Sequence, residues 1–361
     1  MFWLISAFFF SYFFVIGIYV IFLPKILQEL GYTSLQIGII FSTAPLIRFL
    51  IPFFFLKRFS LDERVLNLSL FTLFFSALSF YFTIENFYPF LFSMIFYSLS
   101  SSLILPIVET FSLEYLKKEF YGRARLFGSI GFMIAGLVLA KILSSYVVGI
   151  HFMFIFLVFT ILITVLIERR KIKPGAYKKE RDFGKFDLGK DIGFWINIFL
   201  MQMSFGAFYN FFTIFESEHG VGLKDVSYLW AFSIVCEVLI FYFQAFFLKT
   251  DLRYLVAIST LITSFRWLLI HLFPSFLPVL YFSQSLHAVS FALYHTAALS
   301  YLYTIYENKN LASQFYYGFG FGLGGFAGSL ISGYLYGENI FLYASLIAFG
   351  GYLAMFFLKR E

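Results

Sequence analysis

The clear cases of ionisable side chains deep inside otherwise apolar stretches of this chain are six: Arg48, Glu109, Glu237, Arg266, His287 and His295. A charge at membrane depth is costly unless it is paired, faces water or meets a ligand, so each of the six calls for a chemical reason. Glu237, within Ile-Val-Cys-Glu-Val-Leu-Ile, is suited to take up and release a proton as its surroundings change. His287 and His295 are suited to share that proton, because imidazole titrates near neutral pH; eight residues apart, they are offset by about 80° around an α-helix and nearly share a face. Arg266 is the expected partner that modulates Glu237, and Arg48 and Arg266 are the candidate anion holders. Glu109, Tyr19, Tyr209 and Asn210 complete the candidate solute contacts, with Pro45 and Pro52 flanking Arg48 as a sign of a cavity-lining helix. Arg123 and Arg125 read as orientation signals only.

The elements that must position these groups are membrane helices. The chain is 61% hydrophobic and 13% charged, more apolar than a water-exposed surface tolerates. Its apolar runs are about 20 residues long, the span of a bilayer. They do not alternate as barrel strands do. Twelve runs can be drawn, at 3–24, 34–56, 65–84, 88–113, 124–145, 148–167, 192–215, 225–248, 253–272, 276–303, 311–335 and 339–358. Fifty-seven Phe and 25 Tyr are read as lipid-facing filler rather than as an aromatic pocket. The first run is too long for a cleaved leader.

Charge sets the orientation. With the N-terminus in the cytoplasm, 21 of the 26 Lys and Arg fall on the cytoplasmic side, nine of them between Arg169 and Lys190, against Lys25, Lys141 and Lys224 outside. This is the positive-inside bias. It places both termini in the cytoplasm, accounts for the net charge of +6 and leaves no need for a nucleic-acid partner.

The halves repeat. A shift of 189 brings Gly17, Glu29 and Gly31 onto Gly206, Glu218 and Gly220, and a shift of 192 brings Gly128 and Gly136 onto Gly320 and Gly328. The 189 shift also lays Arg48 on Glu237, and a shift of 186 lays Glu109 on His295. The expected fold is therefore all-α, with two six-helix halves in parallel repeat, residues 1–167 and 192–361, joined by a cytoplasmic linker over 168–191. Segment eleven carries two small-residue ladders, Gly320, Gly324, Gly328 and Gly325, Ser329, Gly333, which permit close helix approach. No Walker A sequence, Cys/His cluster or Gly-x-Ser-x-Gly elbow is present, so no enzyme activity, metal or cofactor is expected and a proton gradient is the expected energy source.

The stretches Tyr19–Phe49, Tyr121–Gly136, Val226–Phe241, Phe265-Arg266-Trp267 and Ser285–Leu299 resemble the 3-phenylpropionate permease family of the major facilitator superfamily, which is similar to the lactose and nucleoside proton symporters. The resemblance implies the major facilitator fold, alternating access and proton symport. It likens Glu237, Arg266 and a histidine of segment ten to the Glu, Arg and His set of the lactose permease. Segment ten lacks the acidic residue found beside that histidine, and the loop Lys57–Arg64 lacks the common superfamily motif. The expected function is proton-coupled symport of a small organic solute, an aromatic or other carboxylate, by a monomer in the inner membrane. A proton-driven exporter is the alternative, and a transporter-like sensor or assembly protein the remote one.

Overall fold

The computed structural model describes the backbone of residues 1–57, 63–116, 118–170 and 187–357. The described residues form twelve helical rods and no strand. The first six are α1 (Phe2–Glu29), α2 (Ser34–Lys57), α3 (Glu63–Thr83), α4 (Phe87–Tyr115), α5 (Lys118–Ile142) and α6 (Tyr146–Arg169). The rest are α7 (Ile192–Glu218), α8 (Leu223–Phe247), α9 (Leu252–Leu272), α10 (277–305), α11 (309–334) and α12 (Ile340–Phe357). Among the described residues nine helices, α1 to α9, are long and apolar enough to cross a membrane. In α10 and α11 the α-helix gives way to π turns over Ala288–Leu293 and Tyr316–Gly324. Most of the expected linker, residues 171–186, and most of the loop Lys57–Arg64 lie outside the described residues.

Local chemistry sets the helix ends. Thr33 and Gln36 form a reciprocal capping box at the start of α2, with bonds of 2.9 and 3.3 Å. Asp251 and Asn308 cap α9 and α11 through their side-chain oxygens. Asp191 caps α7 by accepting from the Phe194 amide at 3.0 Å, and also accepts from Arg253 Nε at 2.8 Å and Tyr301 Oη at 2.7 Å. Burial pushes its carboxyl up, but these bonds outweigh it and hold the group below its ordinary value.

The ends of α1 and α7 carry the repeat in their hydrogen bonds. Gly31 and Gly220 both adopt φ of +87°, and they are the two positive-φ residues among those described. The amides of Gly31 and Tyr32 bond to the carbonyls of Gln28 and Leu27, and those of Gly220 and Val221 to Ser217 and Glu216. Both are Schellman ends, in which glycine takes the left-handed conformation without steric cost. The offset is 189 residues at every position.

Contacts divide the described residues into two compact units, Met1–Tyr32 with Phe53–Glu180, and Thr33–Pro52 with Arg181–Glu361. The division differs from the sequence halves in one element: α2 as far as Pro52, about four-fifths of its length, belongs with the second unit. The two ladders of α11 explain this, because they face different neighbours. A Cβ on Gly324 would lie 2.8 Å from the Phe199 carbonyl, and one on Gly328 would meet the Met203 carbonyl, both on α7. On the other side, a Cβ on Gly333 would lie 2.8 Å from the Ser34 carbonyl and one on Gly325 would lie 3.3 Å from Pro45, both on α2. In the first unit a Cβ on Gly17 of α1 would lie 2.9 Å from Phe132 O of α5, the repeat-related version of the α7–α11 approach.

Candidate functional site

Within the second unit, α7, α8, α9 and α10 converge on Arg266. Its side chain is wholly buried and lies over the rings of Phe208 and Trp267, 4.3 and 4.5 Å from their centroids. Such stacking holds the guanidinium plane and offsets part of its charge. Nη1 donates to His287 Nδ1 at 2.9 Å and to Ser290 Oγ at 3.1 Å, and Nη2 donates to Gln284 Oε1 at 2.8 Å. All three acceptors are neutral groups.

The ring of His287 extends the line to Glu237. Its Nε2 lies 3.5 Å from Glu237 Oε2, and both residues are buried. Arginine only donates hydrogen bonds, so Nδ1 of His287 is unprotonated and the neutral ring carries its hydrogen on Nε2, toward the carboxylate. Glu237, His287 and Arg266 thus form one row of carboxylate, imidazole and guanidinium, with the histidine between the two charges.

Aromatic side chains wall this row. Phe208 packs against Trp230 at 4.4 Å, Trp267 at 5.2 Å and His287 at 5.8 Å between centroids. Tyr209 stacks on Phe205 at 5.4 Å and interacts electrostatically with Glu237, Arg266 and Arg48. Buried aromatic rings therefore line this row, whereas Phe71, Phe82, Phe92 and Tyr242 are exposed on the surface.

The other sequence candidates separate. Arg48 is exposed on α2, which runs unbroken through Pro45. His295 is held by tyrosines, with Nδ1 3.1 Å from Tyr316 Oη and Nε2 3.5 Å from Tyr317 Oη. The π turn spreads more residues over each turn, so His287, Phe291 and His295 come into line as a ladder with centroid steps of 5.3 and 6.4 Å. A phenyl ring therefore separates the two histidines. Glu109 belongs to the first unit, where it lies 3.6 Å from Arg125 Nε. Arg125 also sits 4.0 Å over Phe13, so it has a pairing role that a purely topological reading omits. Tyr19, also in the first unit, stacks near Tyr97 at 6.1 Å. Asn210 is buried, and among the described residues its Nδ2 has no hydrogen-bond partner. Asn197, on the same helix as Asn210, has its polar atoms taken up by packing: it donates to Thr260 and the Gly351 carbonyl and accepts from Tyr294.

Sequence reasoning missed Gln284, Ser290 and Glu216. Neutral Gln and Ser raise no alarm in an apolar run, and Glu216 stands too near a segment end to be counted as deep. It is nevertheless fully buried, and among the described residues neither carboxyl oxygen has a hydrogen-bond partner.

A family model described as "MFS_1 like family" matches residues 2–345. The chain is 26% identical over 358 residues to the "Probable 3-phenylpropionic acid transporter" of Escherichia coli (strain K12), covering 94% of this chain and 93% of that protein. It is 27% identical over 274 residues to the "Uncharacterized transporter YwbF" of Bacillus subtilis (strain 168), covering 72% of this chain and 68% of that protein. Among solved structures it is similar to the nucleoside transporter NupG, with a TM-score of 0.80 at 15% identity over 99% of both chains. It is also similar to the POT family transporter PepTSo, with a TM-score of 0.73 at 12% identity over 98% of this chain and 95% of that one. At these identities the structural likeness shows the fold alone, and it is the major facilitator fold expected from the sequence.

Proposed function

The chain belongs to the MFS_1 like family, and from that premise we propose that this multi-pass secondary transporter moves a small organic carboxylate inward together with protons, by alternating access. The observation that carries the reading is the row Glu237–His287–Arg266, at 3.5 and 2.9 Å. A carboxylate that exchanges a proton, and a guanidinium that attracts an anion, are linked there through one imidazole. Protonating His287 requires Nδ1 to give up its bond from Arg266, so proton occupancy and the freedom of the guanidinium are coupled by geometry. Arg48 and Tyr209 supply further polar contacts to the solute. His295 serves the same proton pathway from the far side of Phe291, and Glu109 with Tyr19 presents the first half's contribution.

The related transporter named for 3-phenylpropionic acid supports an aryl-substituted acid as the solute, and the aromatic wall around Phe208 suits its ring. Under this reading the halves are 1–167 and 192–361 with a cytoplasmic linker over 168–191, both termini are cytoplasmic, the membrane is the inner one and the protein works as a monomer on a proton gradient without a cofactor.

The test is uptake of labelled 3-phenylpropionate by proteoliposomes under an imposed pH gradient, with proton flux recorded in parallel. Wild-type protein concentrates the acid and takes up protons with it. Glu237→Gln exchanges solute across the membrane but does not concentrate it. Uphill uptake by Glu237→Gln with undiminished proton flux would sink the mechanism.

A further inference from the structure

We infer that Gln284 and Arg266 together form the anchor for the carboxylate of the transported anion, a role that rests on the carboxylate reading above and assigns it to particular atoms. Of the five N–H groups of a guanidinium, three of the four on Nη1 and Nη2 are engaged by His287, Ser290 and Gln284. Among the described residues, Nε of Arg266 has no hydrogen-bond partner, and neither has Nε2 of Gln284. Both side chains are wholly buried. Buried donors without acceptors are rare and call for an explanation.

The two open donors belong to groups already joined, since Gln284 Oε1 accepts from Arg266 Nη2 at 2.8 Å. That bond fixes the orientation of the amide: turned over, it would set NH2 against a guanidinium. The amide nitrogen is therefore held beside the guanidinium as an added donor. Everything left open is a donor, so the matching ligand is an acceptor. It is also an anion, because every group accepting from the guanidinium is neutral, and the nearest carboxylate in the row, Glu237, stands beyond the His287 ring. A carboxylate meeting Arg266 Nε and Gln284 Nε2 satisfies both donors and supplies the missing charge through charge-assisted bonds. Phe208 and Trp267 hold the guanidinium plane for that approach. The pair thus selects for acids over their neutral analogues.

The test is calorimetric titration of the purified full chain with 3-phenylpropionate and, separately, with its uncharged amide. Gln284→Glu places a carboxylate of the protein's own beside Arg266 and competes with the ligand's, while keeping the side chain's size and an acceptor for Nη2. The expected result is that wild-type protein binds the acid and not the amide, and that Gln284→Glu weakens acid binding about tenfold or more. A thermal midpoint in the variant no lower than wild type shows that the fold is kept. Gln284→Met, which removes the open donor without adding charge, is expected to weaken the acid as well. Unchanged affinity for the acid in Gln284→Glu overturns the assignment and leaves the carboxylate transporter standing. Equal binding of acid and amide by the wild type also overturns it. Binding of neither ligand sinks the carboxylate reading and this inference with it.

Discussion

Nδ1 of His287 accepts from Nη1 of Arg266 at 2.9 Å, which leaves Nε2 of the same ring as the atom that faces Glu237. A buried histidine bound in this way has one nitrogen committed to a cation and the other to a carboxylate. In His287→Gln the amide oxygen can still accept from Arg266, but no second ring nitrogen reaches Glu237. Proton-coupled uptake in proteoliposomes is expected to fall about tenfold or more, the scale of one lost hydrogen-bonded contact, while solute counterflow without a gradient persists. Equal losses of both activities would show that the ring serves solute binding and not coupling.

The small residues of α11 are expected to differ sharply in tolerance. A Cβ on Gly328 would press into the backbone of Met203 on α7, and main-chain atoms there cannot swing aside. A Cβ on Gly318 meets nothing within 4 Å. Gly328→Ala should therefore lose most of its folded yield after detergent extraction, whereas Gly318→Ala should extract as wild type does and gain slightly in helix propensity. Similar behaviour of the two variants in gel filtration would contradict the packing.

Asp191 ties the start of α7 to Arg253 on α9 and Tyr301 on α10. Because its carboxyl is held below the ordinary value of 3.8, the stability it confers is fully present at neutral pH. That contribution is lost as pH falls from the ordinary value through the lower folded one. Asp191→Asn should cost about 1–3 kcal/mol at pH 7. Thermal midpoints of wild type and variant should converge as the medium is acidified below the ordinary carboxylate range, and a gap that stays constant down to that range would refute this account.

Glu216 and Leu27 occupy equivalent Schellman positions, and both are fully buried. The leucine suits its surroundings, whereas the carboxyl of Glu216 has no hydrogen-bond partner among the described residues. Glu216→Leu should therefore relieve about 1–3 kcal/mol of unsatisfied burial and raise the thermal midpoint. A lowered midpoint would reveal a polar requirement at the C-terminal end of α7.

The sequence by itself determined the membrane class, twelve spans, the internal repeat and the identity of the costly charges. Each of these follows from a one-dimensional quantity: hydropathy summed over a bilayer's thickness, the side on which Lys and Arg fall, the recurrence of glycines at a constant offset, or an ionisable type in an apolar run. Partnership is a matter of helix rotation and approach, and only the tertiary structure decided it. It joined His287 rather than His295 to Glu237, placed a π turn and Phe291 between the two histidines, and gave Arg125 to Glu109. It brought out neutral Gln284 as the companion of Arg266, and it split the glycines of α11 between α7 and α2. The reason is geometric. A polar side chain's partners lie on other helices at ranges of about 3 Å, and the rotation that selects them is set by packing, where a single π turn or a missing Cβ changes which face meets which neighbour.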